Sequence, residues 1–581
     1  MPTSVALAAL FIAGCGASDS GDTTGPKDCN YASTYDAIQA TVFEAKGCTA
    51  SACHGDALSG GLDLRPATSF DALVRQPSMI DPSMERVFPG DQDLSLLYTK
   101  LAAATEGTDL GTLGQPMPLN VEALDADQLD AIRRWIRAGA PSDAIVGGTL
   151  EHLGCQGTFD PDPNKINPLP PPAPDEGVQF YAGGWGLDQE AEDEVCFASY
   201  YDFTDRVPAE YQVSCDEFGT GTKCFAFRRN ELAQDGQSHH SIISVYTPES
   251  DPKGGDWGPW QCLGGDKAGQ SCDPTVAEDC GARSQCTTPA VTSVACALYP
   301  YAPQDFGLGA GIGSTNGTLV QLSGAQESTT IDLPPVGVYS RLPLKGFVSW
   351  NSHAFNLTKK ATTIEQWVNL TFAPEPDRIW LRHQIFEAGD IFAMTPVAPF
   401  TKREVCMTWT LPQYSQLLTL SSHMHRRGEL FRIWLPPNDP CVNTSNCPAP
   451  QQEADYASRL YDDPVYTSYD PPNDYSSSLQ QDRTFKACAV YDNGADNPFE
   501  VKRESTKPNT PACSFPLASC GCASQQRVCL GGDNQGALCN GDDAACGQDG
   551  LCDACPLLGG VTTDDEMFIP LGSYFVKDPS P

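Results

Sequence analysis

The chain reads as a multidomain protein: a small all-α unit, then two antiparallel β-sandwich (jelly-roll) domains carrying disulfide-rich insertions. Three observations predict this. Apolar residues recur at helical spacing as far as residue 145, a proline-rich stretch follows, and beyond it the hydrophobic period changes to two. A hydrophobic content of 40% in 581 residues is enough for several folded cores. Lys plus Arg total 36 against 74 Asp plus Glu, a net charge of -38 that repels nucleic acid and anionic lipid headgroups.

In chain order, residues 5–13 form an apolar run too short to span a bilayer but suited to a signal-peptide core. It ends in Ile12-Ala13-Gly14-Cys15, which resembles a bacterial lipoprotein cleavage box. The resemblance implies a signal peptide over 1–14, diacylation of Cys15, and an exported periplasmic or cell-surface protein held to the membrane only by that lipid. An ordinary secretory signal is the alternative. Residues 15–35 are small and polar, a tether. Residues 36–145 hold the helical unit: helices are expected at 35–45, near Phe70 to Leu73, within RVFPGDQDLSLLYTKLA, and in DADQLDAIRRWIRAGAP, where Asp125 is placed to cap an amphipathic face of Ile132, Trp135 and Ile136. Residues 146–174 form a linker whose end, DPDPNKINPLPPPAP, is an extended, semi-rigid spacer. Strand-like segments such as VCFASYYDF, KCFAFRR, LLTLSSHMH and MFIPLGSYFV then divide by length into sandwiches at 175–372 and 373–581.

The 25 cysteines fit an oxidising compartment. Setting aside Cys15, Cys48 and Cys53 leaves 22, an even number able to pair fully. Eight of them lie in a repeat: CLGGDKAGQSCDPTVAEDCGARSQC (Cys262, Cys272, Cys280, Cys286) recurs as CLGGDNQGALCNGDDAACGQDGLC (Cys529, Cys539, Cys546, Cys552). Each copy is too poor in apolar residues to build a core, so disulfide stapling is expected; the spacings form no paired zinc knuckles.

Cys48, Cys53 and His54 in CTASACHG, with GLDL, PGD-x-x-x-S-x-L, a proline-flanked Met117 and a terminal WI-x-x-GAP helix, resemble a small c-type cytochrome domain of bacterial secreted proteins. That resemblance implies covalent haem c on Cys48 and Cys53, with His54 and Met117 as axial ligands. The two cysteines are separated by four residues where two are usual; the alternative is a Cys48–Cys53 disulfide in a domain without haem.

Histidine is scarce, eight in the whole chain, yet five fall in three clusters: SHHSIISVY (His239, His240), WNSHAFNL (His353) and SSHMHRRGE (His423, His425). His423 and His425 stand at i, i+2 in a strand context, so one strand presents both rings on one face. Imidazole suits copper, zinc, iron or nickel; adding a thioether from Met567 in GGVTTDDEMFIPLGSYF suits copper that cycles through Cu(I). The ordered set of an HH pair, a later single histidine, HxH-x-x-G and TT-x-DEM resembles the copper type II, ascorbate-dependent monooxygenases, the family of peptidylglycine alpha-hydroxylating and dopamine beta-monooxygenase. The resemblance implies two coppers, one on His239, His240 and His353 that stores an electron, and one on His423, His425 and Met567 that activates O2 and hydroxylates a C–H bond of a small-molecule or peptide substrate, with electrons from an ascorbate-like external donor or the fused cytochrome. It also implies that the coppers lie far apart across an open cleft. The family's substrate-holding arginine is here Ser421 and its tyrosine is Leu571, which counts against a glycine-extended peptide substrate. Arg426 and Arg427 are expected on a solvated surface; His383 and His152 receive no role. Two other readings remain: a copper and haem electron-transfer or metal-binding surface lipoprotein without oxygenase activity, and a disulfide-stapled binding module.

Overall fold

The computed structural model describes residues 27–577 except 83, 108–109, 120, 157–160, 249–250, 255–258, 277, 293–316, 326–327, 388–393, 395, 442–446, 460, 462–463, 506–520, 523–525 and 561–563. The signal sequence, Cys15, and Thr562 and Thr563 of the last motif lie outside these residues.

The first unit is built on four helices: α1 (Thr34–Ile38), which runs on into a π-helical turn, α2 (Ser69–Leu73), α3 (Leu96–Glu106) and α4 (Ala126–Arg137). The Asp125 carboxylate accepts the Gln128 N–H at 2.7 Å and the Gln128 side chain reaches back, a capping box that starts α4. Its Leu129, Ile132, Trp135 and Ile136 are buried against Tyr35, Phe43, Leu73 and Leu101. The unit extends past residue 145: Val146, Leu150 and Leu153 join this core, and Cys29–Cys155 closes it, because the short helix Thr149–His152 is apolar on one side.

Sixteen of the strands position the candidate sites. They are β1 (Gly177–Tyr181), β2 (Ala191–Asp202), β3 (Lys223–Gln234), β4 (Ser238–Pro248), β5 (Gly317–Ala325), β6 (Val338–Pro343), β7 (Lys345–Asn356) and β8 (Gln366–Phe372). The second half adds β9 (Trp380–Phe386), β10 (Lys402–Thr410), β11 (Ser415–His423), β12 (Gly428–Trp434), β13 (Tyr456–Ser458), β14 (Thr467–Tyr475), β15 (Thr484–Asp492) and β16 (Ile569–Val576). One sheet runs β5-β4-β7-β2 and on through two short strands of the first Cys-rich repeat. A second runs β14-β11-β16-β9-β6-β3-β8-β1, and a third β10-β15-β12-β13. Alternating apolar residues of the first sheet (Phe197, Ile243, Trp350) meet those of the second (Phe225, Leu232, Val368) in one core; Leu417, Leu420 and Ile385 of the second meet Val405, Phe431 and Phe485 of the third in another.

The two halves share that second sheet. Within it, pairing is antiparallel except at β6–β9, where Val338 faces Trp380 and Tyr339 faces Leu381 in parallel. Length and periodicity did not reveal this join, because a two-residue pairing leaves no periodic trace.

The proline-rich segment is tied down rather than standing clear as a spacer. Lys165 pairs with the buried Asp235 and donates to the Thr363 carbonyl at 2.7 Å, and Asn369 donates to the Pro170 carbonyl at 2.8 Å. The helical unit is likewise held: Arg137 donates to the Ser238 carbonyl at 3.0 Å, and Thr329 N–H to the Gly90 carbonyl at 3.2 Å. Both repeats are stapled first to third and second to fourth, as Cys262–Cys280 with Cys272–Cys286 and Cys529–Cys546 with Cys539–Cys552.

Candidate metal centre

β11 ends at His423, and the chain turns through Met424 and His425 into β12. Antiparallel pairing sets His423 opposite Ile569 on β16, two residues after Met567, and the Asp565–Glu566 segment just before Met567 hydrogen-bonds to His425. A residue near the chain's end thus reaches the histidine turn. The two imidazoles lie 5.2 Å apart, centre to centre, and at 88° to one another. Met567 is buried, and the Tyr491 hydroxyl donates to its carbonyl at 2.8 Å.

The acidic residues before Met567 hold this turn in place. The two Glu566 carboxylate oxygens accept the backbone N–H groups of His425 at 2.9 Å and Arg427 at 2.8 Å. Burial pushes the Glu566 carboxyl up to about 7, against the pull of Arg427 and these N–H donors. Nδ1 of His425 is 2.9 Å from the Asp565 carbonyl, which only accepts, so Nδ1 carries the proton and Nε2 the lone pair. The Asp565 carboxylate pairs in turn with Lys502 at 2.9 Å, both fully buried. Arg427, expected in solvent, is buried instead: it donates to the carbonyls of Glu500 at 3.0 Å and Asp564 at 3.1 Å. Arg426 is the half-exposed member of the pair. Burial, then the neighbouring His425, brings the His423 pKa down to about 3, and burial also lowers that of His425. Both rings are therefore neutral at physiological pH, the state a metal requires. Two neutral imidazoles and a thioether fit a copper ion better than a hard cation.

The strands of the other three histidines run through the centre of the first sheet, and the side chains of His239 and His240 lie outside the described ones. His353 on β7 pairs in register with His240 on β4, next to His239, and with Glu194 on β2. The His353 ring is buried and its Nε2 lies 2.9 Å from a Glu192 carboxylate oxygen. His353 adds a lesser downward push to the pKa of both His423 and His425.

In the helical unit, Nδ1 of His54 lies 2.9 Å from the Ser59 carbonyl, an orientation that suits an axial ligand. The two cysteines do not match it. Cys48 is a free thiol that burial pushes up to about 11, whereas Cys53 is disulfide-bonded to a partner other than Cys48. With Cys53 oxidised, the pair does not fit a haem bound through two thioethers. Met117 packs against the helical core. His383 stacks on Tyr574 at 5.2 Å, and His152 faces Asp127 at 3.0 Å; neither joins a cluster of ligands.

Other close groups of candidate donors are accounted for. The cysteine sulfurs of both repeats, and those beside Glu404 (Cys406–Cys488) and Glu504 (Cys522–Cys555), are in disulfides, and Glu429, Asp492 and Asp496 surround the Lys402 ammonium. Lys502 was missed in the sequence because a lone lysine reads as a surface residue, and Glu566, Asp565 and Glu192 because DDE and AEDE runs look like solvated turns. Their only sequence signal is position, directly before the ligand methionine or on a strand that pairs with a histidine strand.

No family model and no curated protein matches the chain. Among solved structures, one titled "Crystal Structure of the STIV MCP" aligns over 54% of this chain and 96% of that one at 7% identity, with a TM-score of 0.15, and carries no argument.

Proposed function

We propose that this chain is an exported copper-dependent monooxygenase that hydroxylates a C–H bond of an organic substrate, using O2 and an external one-electron donor. The observation that carries the reading is the convergence of His423, His425 and the Met567 segment on one turn, with His425 already oriented through the Asp565 carbonyl. His423, His425 and Met567 would hold a copper that would supply oxygen activation and hydrogen abstraction, and His239, His240 and His353 would hold one that would supply a stored electron. The residues around them preorganise the site: Glu566 fixes the turn through two backbone N–H groups, and the buried Lys502–Asp565 pair anchors Glu566's neighbour. On the sheet beside His423, one cross-strand row reads Ser421, Leu571, Phe386, so that row gives a substrate carboxylate no cation. The abundance of disulfides supports export, and a lipid-anchored periplasmic or cell-surface location follows the same reading. Haem has no part in it, because thioether attachment needs the Cys53 thiol.

The test is metal loading followed by X-ray absorption at the copper edge. We expect two coppers per chain, a sulfur scatterer on one of them in the reduced state, and loss of that sulfur in Met567→Ala. His423→Ala is expected to bind one copper and to lose ascorbate-driven oxygen consumption. A chain that binds no copper, or a sulfur signal unchanged by Met567→Ala, overturns the proposal.

A further inference from the structure

Within the first sheet, β2 carries Glu192 and Glu194 two residues apart, hence on one face. Glu194 pairs directly with His353, so that face is the one the His353 ring occupies. From the diagonal position the Glu192 carboxylate reaches the His353 Nε2 at 2.9 Å, while Glu194 accepts the Asn351 amide at 2.6 Å. A carboxylate accepts and cannot donate, so the Nε2 of His353 carries the proton. The His425 ring is held the opposite way round, through Nδ1 and by a neutral carbonyl.

We propose that Glu192 is a positioning residue for the His239/His240/His353 copper: it directs coordination to the Nδ1 of His353 and biases that copper toward its oxidised state. The inference rests on the reading of this cluster as a copper site. Its two consequences are separable. The hydrogen bond sets which ring nitrogen faces the metal and how the ring is turned, which controls affinity. The negative charge, passed through the N–H···O bond, makes the imidazole a stronger donor and favours Cu(II) over Cu(I), lowering the potential. The ring held by the Asp565 carbonyl receives no such charge directly. The difference makes the His353 copper the better electron donor of the two.

Glu192→Gln and Glu192→Ala separate the effects, because glutamine keeps an accepting oxygen and loses the charge. Both are made in the full chain with His423→Ala, so that only one copper is read. Glu192→Ala is expected to weaken copper binding about 10- to 100-fold, the usual cost of losing a histidine's supporting carboxylate. Glu192→Gln is expected to hold affinity within a few-fold and to shift the reduction potential, followed by loss of the Cu(II) resonance signal, to a more positive value. Unchanged affinity in the alanine variant together with an unchanged potential in the glutamine variant overturns the proposal. A wild-type chain that takes up no copper at this cluster fails the functional reading instead. In that event nitrogen NMR of the metal-free protein still decides the positioning role: His353 should be the Nε2-protonated tautomer and lose that preference in Glu192→Ala, and a tautomer unaffected by the substitution refutes it.

Discussion

Glu566 shows how much a single side chain carries in this protein. It is fully buried, it sits beside a ligand position, and both its oxygens are used by backbone N–H groups of the histidine turn. Glu566→Ala leaves two donors without their acceptor, at a cost of about 1–3 kcal/mol for each one that water does not reach. We expect the variant to fold with reduced stability and, on the proposed reading, to bind copper at His423, His425 and Met567 at least tenfold more weakly while affinity at His239, His240 and His353 is kept; titration with copper checks both. Lys502→Met is expected to be more damaging to the fold than to any one ligand. It strands the Asp565 carboxylate in the interior, and breaking a fully buried ion pair costs about 3–5 kcal/mol. Denaturant unfolding of Lys502→Met and of the double variant Lys502→Met/Asp565→Leu distinguishes the causes, because removing both charges should recover most of the loss. The proposed ligands stand out in the sequence, as scarce histidines in pairs and a methionine after an acidic run. The acids that orient them do not, because nothing local separates a buried carboxylate from a solvated one.

At the scale of elements, α4 was readable from one end to the other, since its cap, its apolar face and the following glycine all agree. What the pattern did not convey is its ion cluster. Asp130 receives Arg133 at 2.6 Å and Arg134 at 2.5 Å on the same helix. Burial raises its pKa, but the two guanidinium groups outweigh burial and bring the carboxyl to about 2. A depressed acid contributes stability above its unfolded pKa and loses it as pH falls through the folded one. The helical unit should therefore gain roughly 2 kcal/mol from Asp130 above pH ~4, declining toward zero by pH ~2. The expected observation is a stability gap between wild type and Asp130→Asn that is present at pH 6 and closes as pH approaches 2; a gap that stays constant with pH contradicts the assignment. The strands were also legible from alternation, whereas the contacts that hold the extended, semi-rigid proline-rich segment to the β-sheets were not. Composition identifies an extended chain but not the buried Asp235 that anchors Lys165.

The whole molecule depends on a join that occupies very few residues. β6 and β9 pair in parallel over two positions, yet they make one sheet of both halves. Gly337, just before β6, makes the approach feasible: its carbonyl accepts the N–H groups of Ile379 at 3.0 Å and Trp380 at 2.8 Å, and its φ is 96°. A Cβ added there would lie 2.9 Å from the Trp380 ring, and the backbone angle is one that residues with a side chain adopt only at a cost. Behind it, Val338, Leu418 and Phe575 pack with Trp380 in a small cluster fed from both sandwiches. Gly337→Ala should therefore act on the junction rather than on either core, because it introduces strain of about 1–3 kcal/mol and displaces Trp380. The expected result is calorimetric: wild type unfolds its two sandwiches in one cooperative transition, and Gly337→Ala separates them into two, the changed one shifted to lower temperature. On the proposed two-copper reading, and because His353 on one half bears electrostatically on His423 and His425 on the other, loosening the join should also raise the distance between the two coppers, read as weaker magnetic coupling of the Cu(II) ions. A single unshifted transition with unaltered coupling would show that the two halves are held together by contacts other than this short parallel pairing.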